Sequence, residues 1–163
     1  MKKLTGPAII LSIFLLDRAS KHWALKALYM KSVKVLSFFH LTYAENTGVA
    51  FGMFSDSNLF FLLFSSVLIA VLLYLRRQIE AHGRLASAGL ALVLGGALGN
   101  LYDRIAYGFV VDYFDFSFFP AVFNVADSAI TVGAVLMALG MKEEKKGSKS
   151  RESGVGNQGA GKI

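Results

Sequence analysis

Apolar residues fall in long runs that are separated by polar segments. Two of these runs, Leu59 to Leu75 and Leu85 to Tyr102, contain no charged residue. A helix of about 20 residues crosses a hydrocarbon core of about 30 Å. In lipid every backbone polar group must be paired within the protein, so a span is either a helix or a strand of a closed barrel. Four spans cannot close a barrel, which leaves helices. The pattern predicts a membrane all-α protein with four transmembrane helices, at about 4–28, 59–75, 85–104 and 122–141.

Basic residues near the ends of the predicted spans indicate their orientation. Eleven of the 17 Lys and Arg residues precede the first span, lie between the second and third, or follow the fourth. This asymmetry predicts that both termini are cytoplasmic. The loops at about 29–58 and 105–121 then face outward.

The chain reads as one transmembrane domain, residues 1–141, followed by a basic tail, residues 142–163. The tail is polar, rich in glycine and free of aromatics, which predicts a disordered cytoplasmic segment. The first outward loop is rich in Val, Phe, Thr and Tyr, which predicts short strands. We expect these strands to form a small extracytoplasmic β-sheet that lies on the membrane, with turns or close backbone approaches at Gly48 and Gly52. A structural cap is the simpler alternative for this element.

Composition excludes several classes of function. Only 17% of residues are charged, whereas soluble domains average about a quarter. The absence of cysteine excludes disulfides, thiol catalysis and zinc–thiolate sites, and the three histidines lack ligand spacing. The net charge of +6 does not indicate nucleic-acid binding, because the basic residues flank apolar segments. A cleaved signal peptide is the alternative reading of the N-terminus, but Asp17 and Arg18 follow its apolar run where a small-residue cleavage site is needed.

Polar residues from every part of the predicted bundle fall at the outer interface. Asp17 and Lys21 share a helix face in the i, i+4 order that favours an ion pair. Ionisable groups in membrane segments usually face a bundle interior and mark function. Interfacial snorkelling and structural ion pairs are the alternative for Arg104 or Asp103 singly, but they suit Asp127 less well, because it lies in an otherwise apolar helix. The remaining polar residues at this depth are Asn46, Asn100, Asp103, Arg104, Asp112, Asp115, Asn124 and Asp127.

Asp112 and Asp127 form the natural pair for chemistry. Two carboxylates held close together cannot both ionise at neutral pH, so one keeps a proton. Such a pair activates a water and protonates a leaving amine without a metal ion. In the third span, Gly95 and Gly99 have the GxxxG spacing that lets a neighbouring helix approach closely.

Five motifs in order resemble the bacterial lipoprotein signal peptidases, also called signal peptidase II. The resemblance covers all four predicted spans and both outward loops, and only the tail lies outside it. The motifs are DRASK at 17–21, NTGVAFG at 46–52, GGALGNLYDR at 95–104, VVDYFDF at 110–116 and FNVADSAI at 123–130.

The resemblance implies an intramembrane aspartic endopeptidase of the bacterial inner (plasma) membrane, with its active site at the outer face. Such enzymes remove the signal peptide of diacylglyceryl-modified prolipoproteins just before the lipidated cysteine. The resemblance assigns catalysis to Asp112 and Asp127, with no metal or cofactor, and it implies contact with membrane lipid and inhibition by globomycin-type compounds. We expect a monomer. The positions expected to bind substrate or support the dyad are Asp17, Lys21, Asn46, Gly48, Asn100, Asp103, Arg104 and Asn124.

Three residues depart from the family pattern. Val49 replaces a frequent alanine and Tyr113 a frequent phenylalanine. Arg18 stands where glutamine is common, and the sequence leaves open whether it contacts lipid headgroups or a neighbouring loop. None of these departures removes a carboxylate.

Three other functions remain as alternatives. A proton-coupled transporter would use the carboxylates as a relay, but it needs polar groups through the full membrane depth. A membrane scaffold would need no dyad. A serine–lysine protease would use Ser20 and Lys21, yet adjacent side chains on a helix point about 100° apart.

Overall fold

The structure, a computed structural model, describes the backbone of residues 5–48 and 58–155 and the side chains of 5–48 and 58–142. Val49 and Gly52, named in the sequence analysis, lie outside these residues. The elements in chain order are α1 (Thr5–Ala27), β1 (Ser32–Leu36), β2 (Phe39–Asn46), α2 (Asn58–Ala81), α3 (Arg84–Ala106), β3 (Val110–Phe116) and α4 (Val125–Val155).

Three of the described helices are long and apolar enough to cross a membrane, namely α2, α3 and residues Val125–Lys142 of α4. Helix α1 has 23 residues but carries several charged side chains. Its polarity is reversed relative to a soluble helix: Asp17 and Lys21 are buried, whereas Leu11 and Leu15 are more than half exposed. Its polar face therefore packs inside the bundle.

Two helices extend beyond the spans predicted from the sequence. Helix α2 continues to Ala81, where the Arg76–Glu80 pair at i, i+4 supports another helical turn. Helix α4 continues to Val155 and so extends into the basic tail. Lys and Glu there favour helix, and elongation of a helix that has already formed requires no new nucleation. Residues 156–163 lie outside the described part of the chain.

The sheet has three antiparallel strands in the order β1-β2-β3. The short strands predicted in the first outward loop are confirmed as β1 and β2, but the third strand comes from the second outward loop, which corrects the prediction of a sheet confined to the first. A two-stranded hairpin is only marginally stable, and β3 completes it. A register shift between Leu41 and Ala44 places Ala44 opposite Asp112.

Helix α3 is the central helix of the bundle and packs against α1, α2 and α4. The predicted packing role of the GxxxG pair is confirmed. A Cβ atom on Gly95 would lie 2.9 Å from Ile13 Cβ, and one on Gly99 would lie 2.5 Å from Asp17 Oδ2. Small residues in α3 thus allow α1 to bring its polar face into the bundle.

Candidate active site

Asp112 and Asp127, the predicted dyad, come from different elements that meet at the same end of the bundle. Strand β3 carries Asp112, which is 1% exposed. The first turn of α4 carries Asp127, which is partly buried and lines a groove. The two carboxylates therefore reach the site from separate parts of the chain, the sheet and the start of α4.

Asn124 contacts both carboxylates. Its Nδ2 donates to Asp112 Oδ1 at 2.6 Å, and its backbone N–H donates to Asp127 Oδ2 at 3.2 Å. Asn124 is fully buried, so these hydrogen bonds are shielded from water. This one residue fixes the position of each carboxylate relative to the other.

The local sequence explains why α4 begins beside the dyad. Asn124 is the N-cap, and its Oδ1 accepts a hydrogen bond from the Asp127 N–H at 2.9 Å. The Asp127 carboxylate accepts from the Asn124 N–H in return, which makes a capping box with Asp in the place of the usual Glu or Gln. The bonds that start the helix therefore also orient Asp127.

Two further amides hold the dyad. Asn100 on α3 donates its Nδ2 to Asp127 Oδ1 at 2.7 Å. Asn46 at the end of β2 donates its Nδ2 to Asp112 Oδ2 at 2.9 Å. The Gly48 N–H donates to Asn46 Oδ1 at 3.1 Å and so orients that amide. Each of these predicted residues lies at the site.

A buried charge cluster adjoins the dyad. Lys21 Nζ lies 3.1 Å from Asp17 Oδ2 and 2.8 Å from Asp103 Oδ2, and it donates to Asn100 Oδ1 at 2.7 Å. An ammonium group has three N–H donors, so these partners use all of them. The predicted pairing of Asp17 with Lys21 is confirmed. The orientation of Asn100 toward Asp127 follows from its bond to Lys21.

Arg18 completes this cluster, and the sequence alone did not predict this role for Arg18. Its Nη1 lies 2.6 Å from Asp103 Oδ1 and its Nη2 lies 2.7 Å from Asp17 Oδ2. Its Cζ lies 4.6 Å from the centre of the Tyr102 ring. With Lys21, the cluster contains two positive and two negative charges. Adjacency to Asp17 was the available signal, but neighbouring side chains on a helix do not face each other.

The two carboxylates of the cluster each bind the backbone beside one member of the dyad. Asp17 Oδ1 accepts from the Ala126 N–H at 3.1 Å. Asp103 Oδ2 accepts from the Val111 N–H at 3.2 Å. Ala126 immediately precedes Asp127, and Val111 immediately precedes Asp112. The charge cluster thus positions the dyad through main-chain hydrogen bonds.

Burial and the nearby charge of Asp127 raise the pKa of Asp112 to about 7, although the amides of Asn46 and Asn124 and the charge of Lys21 lower it in part. A buried carboxyl of this kind keeps a proton near neutral pH while its partner is ionised. Such a pair provides a base for a water molecule and an acid for a carbonyl oxygen.

An apolar groove of about 500 Å³ opens beside Asp127. It lies between the segment that follows β3 and the first turns of α4. Its walls combine aromatic rings with two hydroxyl groups, so an apolar ligand in the groove would lie next to the carboxylate. The lining residues are Phe116, Phe118, Phe119, Phe123, Asp127, Ser128, Thr131 and Val132.

Arg104, another predicted site residue, makes only long side-chain contacts among the described residues. Its Nη1 lies 3.5 Å from the Asn100 carbonyl and its Cζ lies 5.6 Å from the centre of the Phe61 ring. Among the described residues it forms no ion pair, yet its charge is near enough to attract Asp112 and Asp127.

Two other polar residues lie outside the dyad's contacts. Asp115 is three positions from Asp112 on β3, and it faces the other side of the sheet because successive residues of a strand alternate between the two faces. Its carboxylate accepts a hydrogen bond from the Thr42 hydroxyl at 2.7 Å. Ser20 donates to the Asp17 carbonyl oxygen at 3.0 Å, whereas Lys21 is engaged by the charge cluster. This arrangement gives no support to a serine–lysine pair.

The described residues offer no metal centre. No group of three or more His, Cys, Asp or Glu side chains in that part of the chain has an arrangement that could hold a metal ion.

Comparison with known proteins agrees with this arrangement. A family model described as signal peptidase (SPase) II matches residues 9–142. The lipoprotein signal peptidase of Caldanaerobacter subterraneus subsp. tengcongensis is 47% identical over 131 residues, which cover 79% of this chain and 90% of that protein. The lipoprotein signal peptidase of Shewanella piezotolerans is 44% identical over 141 residues, which cover 80% of this chain and 82% of that protein.

The fold is also found in a solved structure of a bacterial membrane enzyme determined by the in meso method at 2.3 Å resolution. That structure superposes with a TM-score of 0.81 at 23% identity, covering 100% of this chain and 96% of that one. The family model covers nearly all of the helices and strands described above. The chain belongs to the signal peptidase II family.

Proposed function

We propose that this protein is an aspartic endopeptidase that removes the signal peptide from diacylglyceryl-modified prolipoproteins, cleaving just before the lipidated cysteine. Family membership supports the reaction and the substrate class. The observation that carries the assignment of the dyad is the pair of hydrogen bonds from Asn124, one to Asp112 and one to Asp127. A residue whose side-chain amide binds one carboxylate and whose backbone N–H binds the other holds the two in the relation that shared-proton chemistry needs.

In the proposed reaction, the ionised member of the dyad removes a proton from a water molecule. The water oxygen attacks the scissile carbonyl carbon, and the protonated member gives its proton to the carbonyl oxygen. The tetrahedral intermediate collapses as its C–N bond breaks and the leaving nitrogen takes a proton from the dyad. The products are a signal peptide with a new carboxyl terminus and a lipoprotein whose first residue is the lipidated cysteine. As the new carboxyl group forms, a hydroxyl of the tetrahedral intermediate returns its proton to the dyad, which ends the cycle with its one shared proton and titrates as a pair.

The other predicted site residues act in support. Asn46, Asn100 and Asn124 orient the carboxylates, and Gly48 orients Asn46. The carboxylates of Asp17 and Asp103 bind backbone N–H groups next to the two dyad residues, and Lys21 forms an ion pair with each of these carboxylates. Arg104 lacks a carboxylate partner in the described residues, so its donors remain for substrate carbonyl groups.

We place the active site at the outer face of the bacterial inner (plasma) membrane, with α1 as the first of four spans and both termini cytoplasmic. Basic residues flank the opposite ends of the helices. The signal helix of a substrate would span the membrane beside the bundle, with its scissile bond at the level of the dyad. The phenylalanine-lined groove beside Asp127 is suited to apolar parts of that substrate, and membrane lipid fills it otherwise.

The remaining partners follow from this assignment. Globomycin-type compounds inhibit by occupying the dyad region, and no metal or cofactor takes part. The proposed enzyme acts as a monomer, since one chain supplies every residue of the site.

Cleavage by purified protein tests the proposal. A diacylglyceryl-modified prolipoprotein is incubated with wild type, Asp112→Asn, Asp127→Asn and Asp115→Asn in the presence of a metal chelator, and the products are separated on a gel. We expect cleavage by wild type and Asp115→Asn and none by the two dyad variants. Asp115 is the matched control, because it lies on the same strand as Asp112 but binds Thr42.

Two outcomes would contradict the proposal. Near-normal cleavage by a folded dyad variant would exclude the aspartic mechanism. Failure of wild type to cleave, under conditions in which a related signal peptidase II is active, would exclude the substrate assignment.

A further inference from the structure

We infer that Arg18 is a positioning residue for the dyad: its guanidinium makes the adjoining charge cluster neutral and, through Asp17 and Asp103, fixes the backbone on which both catalytic aspartates stand. The consequence for catalysis rests on the proposed function. The consequence for the dyad's proton can be measured without any substrate.

The contacts of Arg18 are specific. Nη1 binds Asp103 at 2.6 Å, Nη2 binds Asp17 at 2.7 Å, and Nη2 also lies 3.3 Å from the Gly99 carbonyl oxygen. The side chain is 17% exposed, and the Tyr102 ring lies against the guanidinium. A planar guanidinium presents its donors in a rigid fork with fixed directions, whereas the ammonium of lysine is a compact charge with rotatable donors.

Charge balance shows what Arg18 contributes to the cluster of this chain. Asp17 and Asp103 are both 0% exposed, and Lys21 supplies only one positive charge for them. Loss of Arg18 would leave a net negative charge in a buried site, where unpaired charge is strongly unfavourable. Loss of Arg18 would also remove the donor that binds Asp103 Oδ1.

The same two carboxylates connect Arg18 to the dyad. Asp17 binds the N–H of Ala126, and Asp103 binds the N–H of Val111. Either carboxylate would shift if its ion pair were lost. A shift of about 1 Å at reacting groups lowers a rate by roughly a hundredfold. Arg18 therefore acts on both members of the dyad although it touches neither.

The charge of Arg18 also acts on the shared proton. With Arg18 absent, the surroundings of the dyad become more negative, so the dyad holds its proton to higher pH. The charged and titratable groups that face the dyad from each element packed around it are Asp17 and Lys21 on α1, Asp103 and Arg104 on α3, Tyr113 on β3, and Asp112 and Asp127 themselves.

The test compares Arg18→Gln, Arg18→Lys and Arg76→Gln with wild type. Arg76 is the matched control, because it forms the other arginine–carboxylate pair of the described residues, an exposed one with Glu80 at 2.7 Å. The measurements are kcat and KM against pH, normalised to the folded fraction, and the titration of the Asp112 carboxyl carbon by NMR. That signal is assigned by its loss in Asp112→Asn.

We expect Arg18→Gln to lower kcat by roughly ten- to a hundredfold at nearly unchanged KM. It should also move both the pH–rate profile and the Asp112 titration to higher pH by roughly half a unit. Arg18→Lys should restore the pH midpoints, because it keeps the positive charge. It should restore only part of kcat, because lysine lacks the planar guanidinium that binds Asp17 and Asp103. Arg76→Gln should match wild type in every measurement.

The outcomes separate this inference from the proposed function. An unchanged Asp112 titration and pH–rate profile in folded Arg18→Gln would overturn the inference while leaving the peptidase assignment intact. A shifted titration together with a wild type that cleaves no prolipoprotein would support the inference and exclude the function. If Arg18→Gln does not fold, Arg18→Lys decides, since wild-type kcat in that variant would overturn the positioning role.

Discussion

The Asp17 carboxylate accepts a hydrogen bond from the backbone N–H of Ala126 at 3.1 Å, although the two residues are 109 positions apart in the sequence. This bond pairs one of the N–H groups that have no partner within the first turn of α4. A negative charge is also favourable at a helix N-terminus. Helix α1 thereby holds the first turn of α4, and with it the position of Asp127.

Gly99→Ala, a substitution on α3, should disturb the hydrogen bond between Asp17 and Ala126. The added Cβ would lie 2.5 Å from Asp17 Oδ2, so the carboxylate must move away from Lys21 and Arg18. We expect a lower melting temperature in detergent and a fall in kcat of about tenfold or more. Gly6→Ala is the control, because nothing lies within 4 Å of a Cβ at that position. Equal melting temperatures for the two variants would show that Asp17 tolerates displacement.

Asn124→Ser should separate the two roles of Asn124, which caps helix α4 and also binds the Asp112 carboxylate. Serine caps helices about as well as asparagine, so the stability of α4 should change little. The shorter side chain cannot reproduce the 2.6 Å bond to Asp112, so that carboxylate loses a donor. We expect near-wild-type melting with a loss of kcat of about a hundredfold. Full activity in this variant would mean that the Asn124 bridge does not position the dyad.

Lys21→Met should destabilise the protein strongly. It removes the ammonium that lies between Asp17 and Asp103 and leaves one arginine for two buried carboxylates. Breaking a buried pair typically lowers the free energy of unfolding by about 3 kcal/mol or more. Thermal unfolding followed by the fluorescence of Trp23 measures the effect. Lys26→Met, on the same helix at an exposed position, serves as the control and should melt like wild type.

Activity should decline as the pH rises through about 7, the pKa of Asp112 in the folded protein, because the dyad then loses its shared proton. The rate of prolipoprotein cleavage against pH measures this limb of the profile. A rate that stays constant well above neutral pH would contradict the raised pKa.

The same pKa predicts a change in stability. The folded-state value of about 7 lies above the ordinary value of 3.8, so the folded protein holds this proton more strongly than the unfolded chain. The resulting stabilisation is present below pH 3.8 and is lost as the pH rises to about 7. Melting temperatures should fall over this window in wild type and less in Asp112→Asn. Equal slopes in the two proteins would contradict the prediction.

The sequence by itself determined the class of protein and most of the site. Long uncharged runs have one stable arrangement in lipid, so helices α2 and α3 followed from hydropathy alone. Asp112 and Asp127 were predicted as a dyad because carboxylates next to apolar runs are costly, and the ordered motifs made the resemblance specific. The ion pair of Asp17 with Lys21 followed from helical periodicity, which is a local property.

Only the tertiary structure decided the contacts between distant segments. The third strand, the bonds from Asp17 and Asp103 to the backbone beside the dyad, and the bridging role of Arg18 each depend on how helices and strands meet. Periodicity indicates which face of an element is polar, but it does not indicate which groups that face will bind. The length of α4 was missed for a related reason, because a polar composition typical of a tail also favours helix once a preceding span has nucleated it.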